Sequence, residues 1–236
     1  MTRADRQRQR GMRRQAERSG PGGVESLETR LLLSAAIVEI PSFLLNRPTS
    51  ILTPTASAGA MGFTPAQIAQ AYGINQVSIN GIAGDGSGQT IAIVDAYDAP
   101  TIVSDLQAFD MHFGLSDPTL TRISQTGGMT LPGTDPSGKG NSWAVETALD
   151  VEWAHAVAPK AAILLVEANS ANDTDLFAAI NVARNYAGVV VVSMSWGGSE
   201  AYSQSIYNQY FTTPVGHNGV TFLAASGDSG AYDPTP

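Results

Sequence analysis

Val189-Val190-Val191-Val192-Ser193-Met194-Ser195-Trp196-Gly197-Gly198 opens on four β-branched residues and ends in a polar, aromatic and glycine-rich exit. A second run, Ala161-Ala162-Ile163-Leu164-Leu165-Val166, is equally apolar and equally free of alternation. Strands read this way when both faces of their sheet are covered. Outward from these runs the pattern alternates. Strands are expected at 89–95, 120–125, 161–167, 188–194 and 219–225, and helices at 99–113, 142–158, 173–186 and 199–212. Such alternation defines an α/β chain with a mostly parallel sheet and helices on both faces. Thr64-Pro65 ahead of Ala66–Tyr72 reads as cap, first-turn proline and helix. No internal repeat is visible.

The chain has 236 residues, enough for one large domain and a tail. It has no cysteine, which excludes disulfides, thiolate metal sites and a cysteine nucleophile. Its charge is uneven: eight of the 13 basic residues, all arginine, fall in the first 30 positions. The remainder holds Arg47, Arg122, Lys139, Lys160 and Arg184 against 17 of the 21 acids. A body so poor in cations argues against nucleic-acid binding. Residues 1–45 read as a basic N-terminal leader and candidate export segment. Within it Leu27–Ala35 resembles a short leader motif of some bacterial surface and secreted proteins. The apolar run Leu31–Val38 is too short to span a bilayer. Residues 46–62, rich in Pro, Thr, Ser, Ala and Gly, read as a linker. Residues 63–236 read as a folded domain. The last expected strand is followed by Ser226-Gly227-Asp228-Ser229-Gly230 and no covering helix, so that domain reads as truncated at its C-terminus.

The chemistry concentrates in the helix expected at 142–158. Glu146 and Asp150 stand four apart, one above the other on one helical face. Between Trp143 and Ala158 only Glu146, Thr147, Asp150, Glu152 and His155 are polar, and a helix apolar almost all round is a buried one. Two buried acids this close do not both ionise cheaply, so one pKa rises and the pair can share a proton. Paired carboxylates with split pKa values are acid–base machinery.

Other motifs carry less. Gly84-Asp85-Gly86-Ser87-Gly88 has phosphate-loop composition but precedes its strand instead of following one, and reads as a turn. Gly227-Asp228-Ser229-Gly230 matches the nucleophile loop of trypsin-like proteases over four residues. That fold is all-β, so Ser229 is not taken as a nucleophile. Asp228 itself, at the C-terminal end of a parallel strand, sits where α/β sheets build their sites. His112, His155 and His217 have no metal-ligand spacing and read as structural, with His155 a minor candidate beside Asp150. The glycine exit after Trp196 leaves bare backbone on which an extended peptide could pair as an added strand.

Four segments together resemble the sedolisin family of serine-carboxyl peptidases, acid-acting relatives of subtilisin. They are Gln89–Asp98, the Glu146-x-x-x-Asp150-x-Glu152-Trp153 helix, Ser193–Gly198 and Ala225–Gly230, in the family's order. The resemblance covers residues 63–236 and implies a subtilisin-like fold. It implies that Glu146 is the general base, Asp150 the acid coupled to it and Asp228 the oxyanion-hole acid, which must be protonated to donate to the oxyanion. It implies that Ser195, Trp196, Gly197 and Gly198 form the strand that pairs with a peptide or protein substrate. A carboxylate base sets an acidic working range.

The departures bear equally on function. The family's nucleophile lies in a Gly-Thr-Ser loop, and no Gly-Thr-Ser occurs in these residues. The family's calcium site lies in the part that has no counterpart here, so no metal ligand is expected in this chain. The 62 residues before Phe63 are too few for the folded prodomain usual in the family. The reading is the N-terminal portion of a secreted or cell-surface acid peptidase, inactive alone because a base without a nucleophile forms no covalent intermediate. The alternative is a non-catalytic peptide-binding or surface module on the same scaffold. A glycosidase using Glu146 and Asp150 is excluded, since two acids one turn apart on one helix do not flank a substrate from two faces.

Overall fold

The computed structural model describes residues 40–41, 62–137, 142–198 and 204–227, all within one unit, Leu33–Pro236. The expected leader, apart from 40–41, and nearly all of the expected linker lie outside the described residues.

Five strands form the central sheet: β4 (Thr90–Ala96), β5 (Leu120–Ser124), β6 (Ala162–Ala168), β7 (Val189–Met194) and β9 (Thr221–Ala224). Their spatial order is β5-β6-β4-β7-β9 and every pairing is parallel. The unalternating runs fall at the centre of this sheet, and its two faces are covered by different helices. Ala92, Val94, Leu164, Val166 and Val192 pack beneath α4 (Asp173–Asn185) through Leu176, Ala179, Ile180 and Ala183. Ile93, Ile163 and Leu165 face α2 (Ile102–Phe113) and α3 (Trp143–Val157) through Ile102, Leu106 and Val151. Burying each such side chain stabilises the fold by roughly 1.5–3 kcal/mol.

Helix ends follow local chemistry. α1 (Pro65–Ala71) starts with a full capping box. The Thr64 hydroxyl accepts from the Gln67 amide at 3.3 Å, and the Gln67 side-chain oxygen accepts from the Thr64 amide at 2.8 Å. At the start of α3, Ser142 makes no side-chain cap; Asp135 supplies it from the preceding loop, accepting from the Trp143 amide at 3.0 Å.

Three local features differ from expectation. The segment expected as a helix over 199–212 contains a 3₁₀ helix, Gln204–Phe211. Its tyrosines and asparagine are indifferent helix formers, and Arg184 of α4 ties it down by donating to the carbonyls of Gln209 and Thr212. A small hairpin, β2 (Ser78–Ile79) with β3 (Ile82–Ala83), turns on Asn80-Gly81, both at positive φ. That dipeptide is a strong hairpin signal. Finally, a short β8 (Trp196–Gly197) stands outside the main sheet and pairs antiparallel with β1 (Ile40–Pro41).

The glycine turn 84–88 is a packed corner, not a phosphate cradle. Gly86 lies at φ +83° against the α3–β6 connection, where an added Cβ would come within 2.8 Å of the Ala161 Cβ and 2.9 Å of its amide nitrogen. Gly88, at φ +75°, has open space around its Cβ position. Gly86→Ala is therefore expected to destabilise by about 2–4 kcal/mol, strain plus overpacking. Gly88→Ala is expected to cost about 1–2 kcal/mol from strain alone. Denaturant melts of the two variants measure the difference, and equal losses would show that the Gly86 contact yields freely.

Candidate active site

Three acids meet at the C-terminal ends of the strands. Period-two geometry places the first: Ile91, Ile93 and Asp95 alternate with the residues under α4, so Asp95 points toward α2 and α3. Asp95 is fully buried. Burial, then the charges of Asp150 and Glu146, push its carboxyl well above the usual carboxylate range. Neither of its oxygens has a hydrogen-bond partner of good geometry among the described residues. Thr147 beside it, whose hydroxyl donates to the Trp143 carbonyl at 2.8 Å, pulls the Asp95 pKa the other way.

α3 supplies the other two. Glu146 is 1% exposed, so the solvated acidic stripe that ordinarily explains such a pair does not apply. Asp150, one turn on, accepts a hydrogen bond from the Ser195 hydroxyl at 2.7 Å. Burial raises its pKa to about 6, with the Ser195 bond pulling the other way. A carboxyl group there is mostly protonated in acid and can exchange its proton with acids in the same buried space.

Ser195 reaches Asp150 because of a register shift. β4 pairs Thr90 with Val189 but Ile91 with Val191, which leaves Val190 as an extra residue. One inserted residue turns the rest of the strand over. Val189, Val192 and Met194 consequently share the α4 face, and Ser195 emerges toward α3. Trp196 returns to the α4 side, where its indole lies edge-on to Phe177 at 6.0 Å. Its Nε1 donates to the Val94 carbonyl at 2.7 Å, past the point where the β4–β7 ladder ends. Trp196 is 7% exposed, so β8 turns its one large side chain inward.

Beside this cluster lies a charged group not singled out in the sequence. Glu167, fully buried at the end of β6, accepts from the Ala99 amide at 3.0 Å and from Arg122 at 2.9 Å, and Arg122 also pairs with Asp98. Burial nonetheless raises the Glu167 pKa, against the downward pull of the Ala99 amide and Arg122.

The structure thus brings together Glu146, Asp150 and Ser195, and adds Asp95. Asp95 was not among the expected site residues; its signal in the sequence is an acid ending an apolar strand. Trp196 and Gly197 follow directly as a short exit strand, with Gly198 next in the chain. Asp228 and Ser229 lie outside the described residues. His155 is buried 3.2 Å from Asp110 of α2, not against Asp150. Among the described residues no group of three or more His, Asp or Glu side chains is placed to hold a metal ion, so no step is derived through calcium.

The fold and this cluster are those of a subtilisin-like α/β protein with a buried carboxylate pair. Kumamolisin of Bacillus sp. (strain MN-32) is 34% identical over 186 residues, which is 75% of this chain and 31% of kumamolisin. The chain is a relative of the sedolisins, a serine-carboxyl peptidase family. The structure of Pseudomonas sedolisin, a serine-carboxyl proteinase complexed with two molecules of pseudo-iodotyrostatin, matches in fold. Its TM-score is 0.53 at 22% identity, over 74% of this chain and 47% of that one. The chain therefore spans less than half the length of either relative. No family model matches it.

Acids with raised pKa values stabilise the fold when protonated. That stability is complete below about pH 4, the ordinary aspartate pKa, and is lost as pH rises through the folded values. Those values are about 6 for Asp150 and about 7 for Glu152, the latter raised by burial and the charges of Asp105 and Asp110. Thermal melts are expected to give a higher Tm at pH 4 than at pH 7. The Asp150 share is up to about 3 kcal/mol, and Asp150→Asn removes it. A Tm that rises toward pH 7 would show the acids to be ionised and compensated in the fold.

Proposed function

We propose that this chain carries the acid–base half of an acid-acting serine-carboxyl peptidase site. In this reading Glu146 is the general base, Asp150 the acid that shares its proton and Asp228 the protonated donor to the oxyanion. Asp95 keeps the shared charge low. Ser195, Trp196, Gly197 and Gly198 align a peptide or protein substrate. The observation that carries the reading is a glutamate 1% exposed beside an aspartate whose pKa is raised to about 6, at the C-terminal edge of a parallel sheet. A base of that kind is partly ionised in acid and poised to take a proton from a serine hydroxyl.

The hydrolysis itself would proceed through an acyl-enzyme. The attacking hydroxyl passes its proton to Glu146, the carbonyl oxygen gains charge against Asp228, and the leaving amine takes the proton back. These 236 residues contain no Gly-Thr-Ser for the attack, so the chain by itself is proposed to be inactive. Calcium, in the family, belongs to a part with no counterpart here. Export to the cell surface or medium is proposed from the basic leader; among the described residues no helix is long and apolar enough to cross a membrane. The second reading, a non-catalytic peptide-binding module, is favoured by the strand already paired on β8.

The purified chain is expected to give no sustained peptide turnover between about pH 3 and 5. Sustained cleavage that disappears in Glu146→Gln would show that a serine of this chain acts as nucleophile, with Ser229 the first suspect.

A further inference from the structure

β6 and β4 carry two buried acids side by side. Their parallel register sets Glu167 opposite Asp95, and the β5–β6 register sets Ser124 opposite Glu167. Val166 and Ala168, on either side of Glu167, pack under α4, so Glu167 faces α2 and α3 as Asp95 does. Both acids are fully buried. Neighbouring strands run about 4.8 Å apart, a spacing at which two charges interact strongly inside a protein.

The two acids are held unequally. The Arg122 Nη2 donates to both Glu167 oxygens, at 2.9 and 3.2 Å, and also pairs with Asp98. The Ala99 amide donates to Glu167 at 3.0 Å. Charge-assisted bonds of this kind favour the carboxylate. Burial and the Asp98 charge raise the Glu167 pKa, and Ala99 and Arg122 pull it down. Burial, Asp150, Glu146 and Glu167 all raise the Asp95 pKa, against Thr147 alone among the described groups acting on it. Glu167 is thus the first of the two to ionise, and Asp95 then faces an anion within its own sheet.

The same contacts clamp the turn that follows Asp95. Tyr97 lies at φ +67°, a left-handed conformation strained for a tyrosine. Three successive amides hold the turn. Tyr97 donates to the Ala168 carbonyl at 2.7 Å, Asp98 to the Gly133 carbonyl at 3.0 Å, and Ala99 to Glu167. Arg122 grips it again through the Asp98 side chain. Backbone strain persists only where its surroundings over-determine it.

We propose that Glu167, held by Arg122, is a positioning residue for the acid group: it fixes the Tyr97–Ala99 turn and stands as the anion on the flank of Asp95. Its bearing on catalysis rests on the function proposed above; its action on Asp95 does not.

Carboxyl ¹³C titration of the full chain tests this without turnover. Glu167→Gln keeps an oxygen for the Ala99 amide and removes the charge. It is expected to lower the proton affinity of Asp95 several-fold while near-UV circular dichroism stays that of the parent. Glu152→Gln removes an α3 acid that is not among the groups acting on Asp95, and is expected to leave Asp95 unmoved. In the parent chain, where no variant has to fold, the Asp95 signal is expected to carry a second inflection at the Glu167 midpoint. Arg122→Met is expected to speed hydrogen exchange of the Tyr97, Asp98 and Ala99 amides several-fold relative to those of β4. An Asp95 midpoint unmoved by Glu167→Gln, an equal shift in Glu152→Gln, no shared inflection, or unchanged exchange in the turn would each overturn the proposal. Turnover without this coupling would leave the peptidase reading standing, and coupling without turnover would leave this one.

Discussion

Taking carboxylates out of water is the constraint on which this architecture turns. Asp95, Glu146 and Glu167 are fully buried or nearly so, and Asp150 is largely enclosed. An ionised acid in such surroundings costs several kcal/mol unless it is paired. The fold handles the two ends of this group differently. Glu167 is given Arg122 and a backbone amide. In the Asp95, Glu146 and Asp150 group, burial and the charges of Asp150 and Glu146 raise the Asp95 pKa. The group can relieve that cost by keeping protons, which couples its charge to acid pH.

Placing the group takes two backbone devices. The extra residue at Val190 reverses the facing of β7, without which Ser195 would emerge on the α4 side, away from Asp150. The Trp196 indole then takes the Val94 carbonyl that the β4–β7 ladder leaves, fixing β8 at the sheet's C-terminal edge. The aromatic packing of Phe177 on Trp196 and Tyr207 supports that anchor from behind. The peptide-pairing edge and the acid cluster are thus neighbours because one strand supplies both.

Much of this was legible in the residues. The runs at 161–166 and 189–194 declared a covered parallel sheet because alternation was absent, and the helix around Glu146 declared burial because polar residues were few. The Asn80-Gly81 hairpin was equally legible, since both residues favour the positive φ its turn requires. Asp95 was harder: its strand reads as apolar to the last residue, and only the period-two facing of β4 against α3 joins it to the pair. The bulge at Val190 has no local mark, since four identical valines give no register. The β1–β8 pairing is long-range, and Ile40-Pro41 has no pattern that distinguishes it in its segment. Glycine at 197 showed that backbone could be approached there, but not by what.

The central claim is that Glu146, Asp150 and Asp95 titrate as one buried, proton-sharing group. Side-chain carboxyl ¹³C NMR across the acid range, on chain labelled at Asp and Glu, tests it most directly. The account expects Asp150 to titrate near 6, Asp95 above the usual aspartate range, and Asp150→Asn to shift the Asp95 midpoint downward. Three independent midpoints at ordinary carboxylate values, unmoved by that substitution, would contradict it.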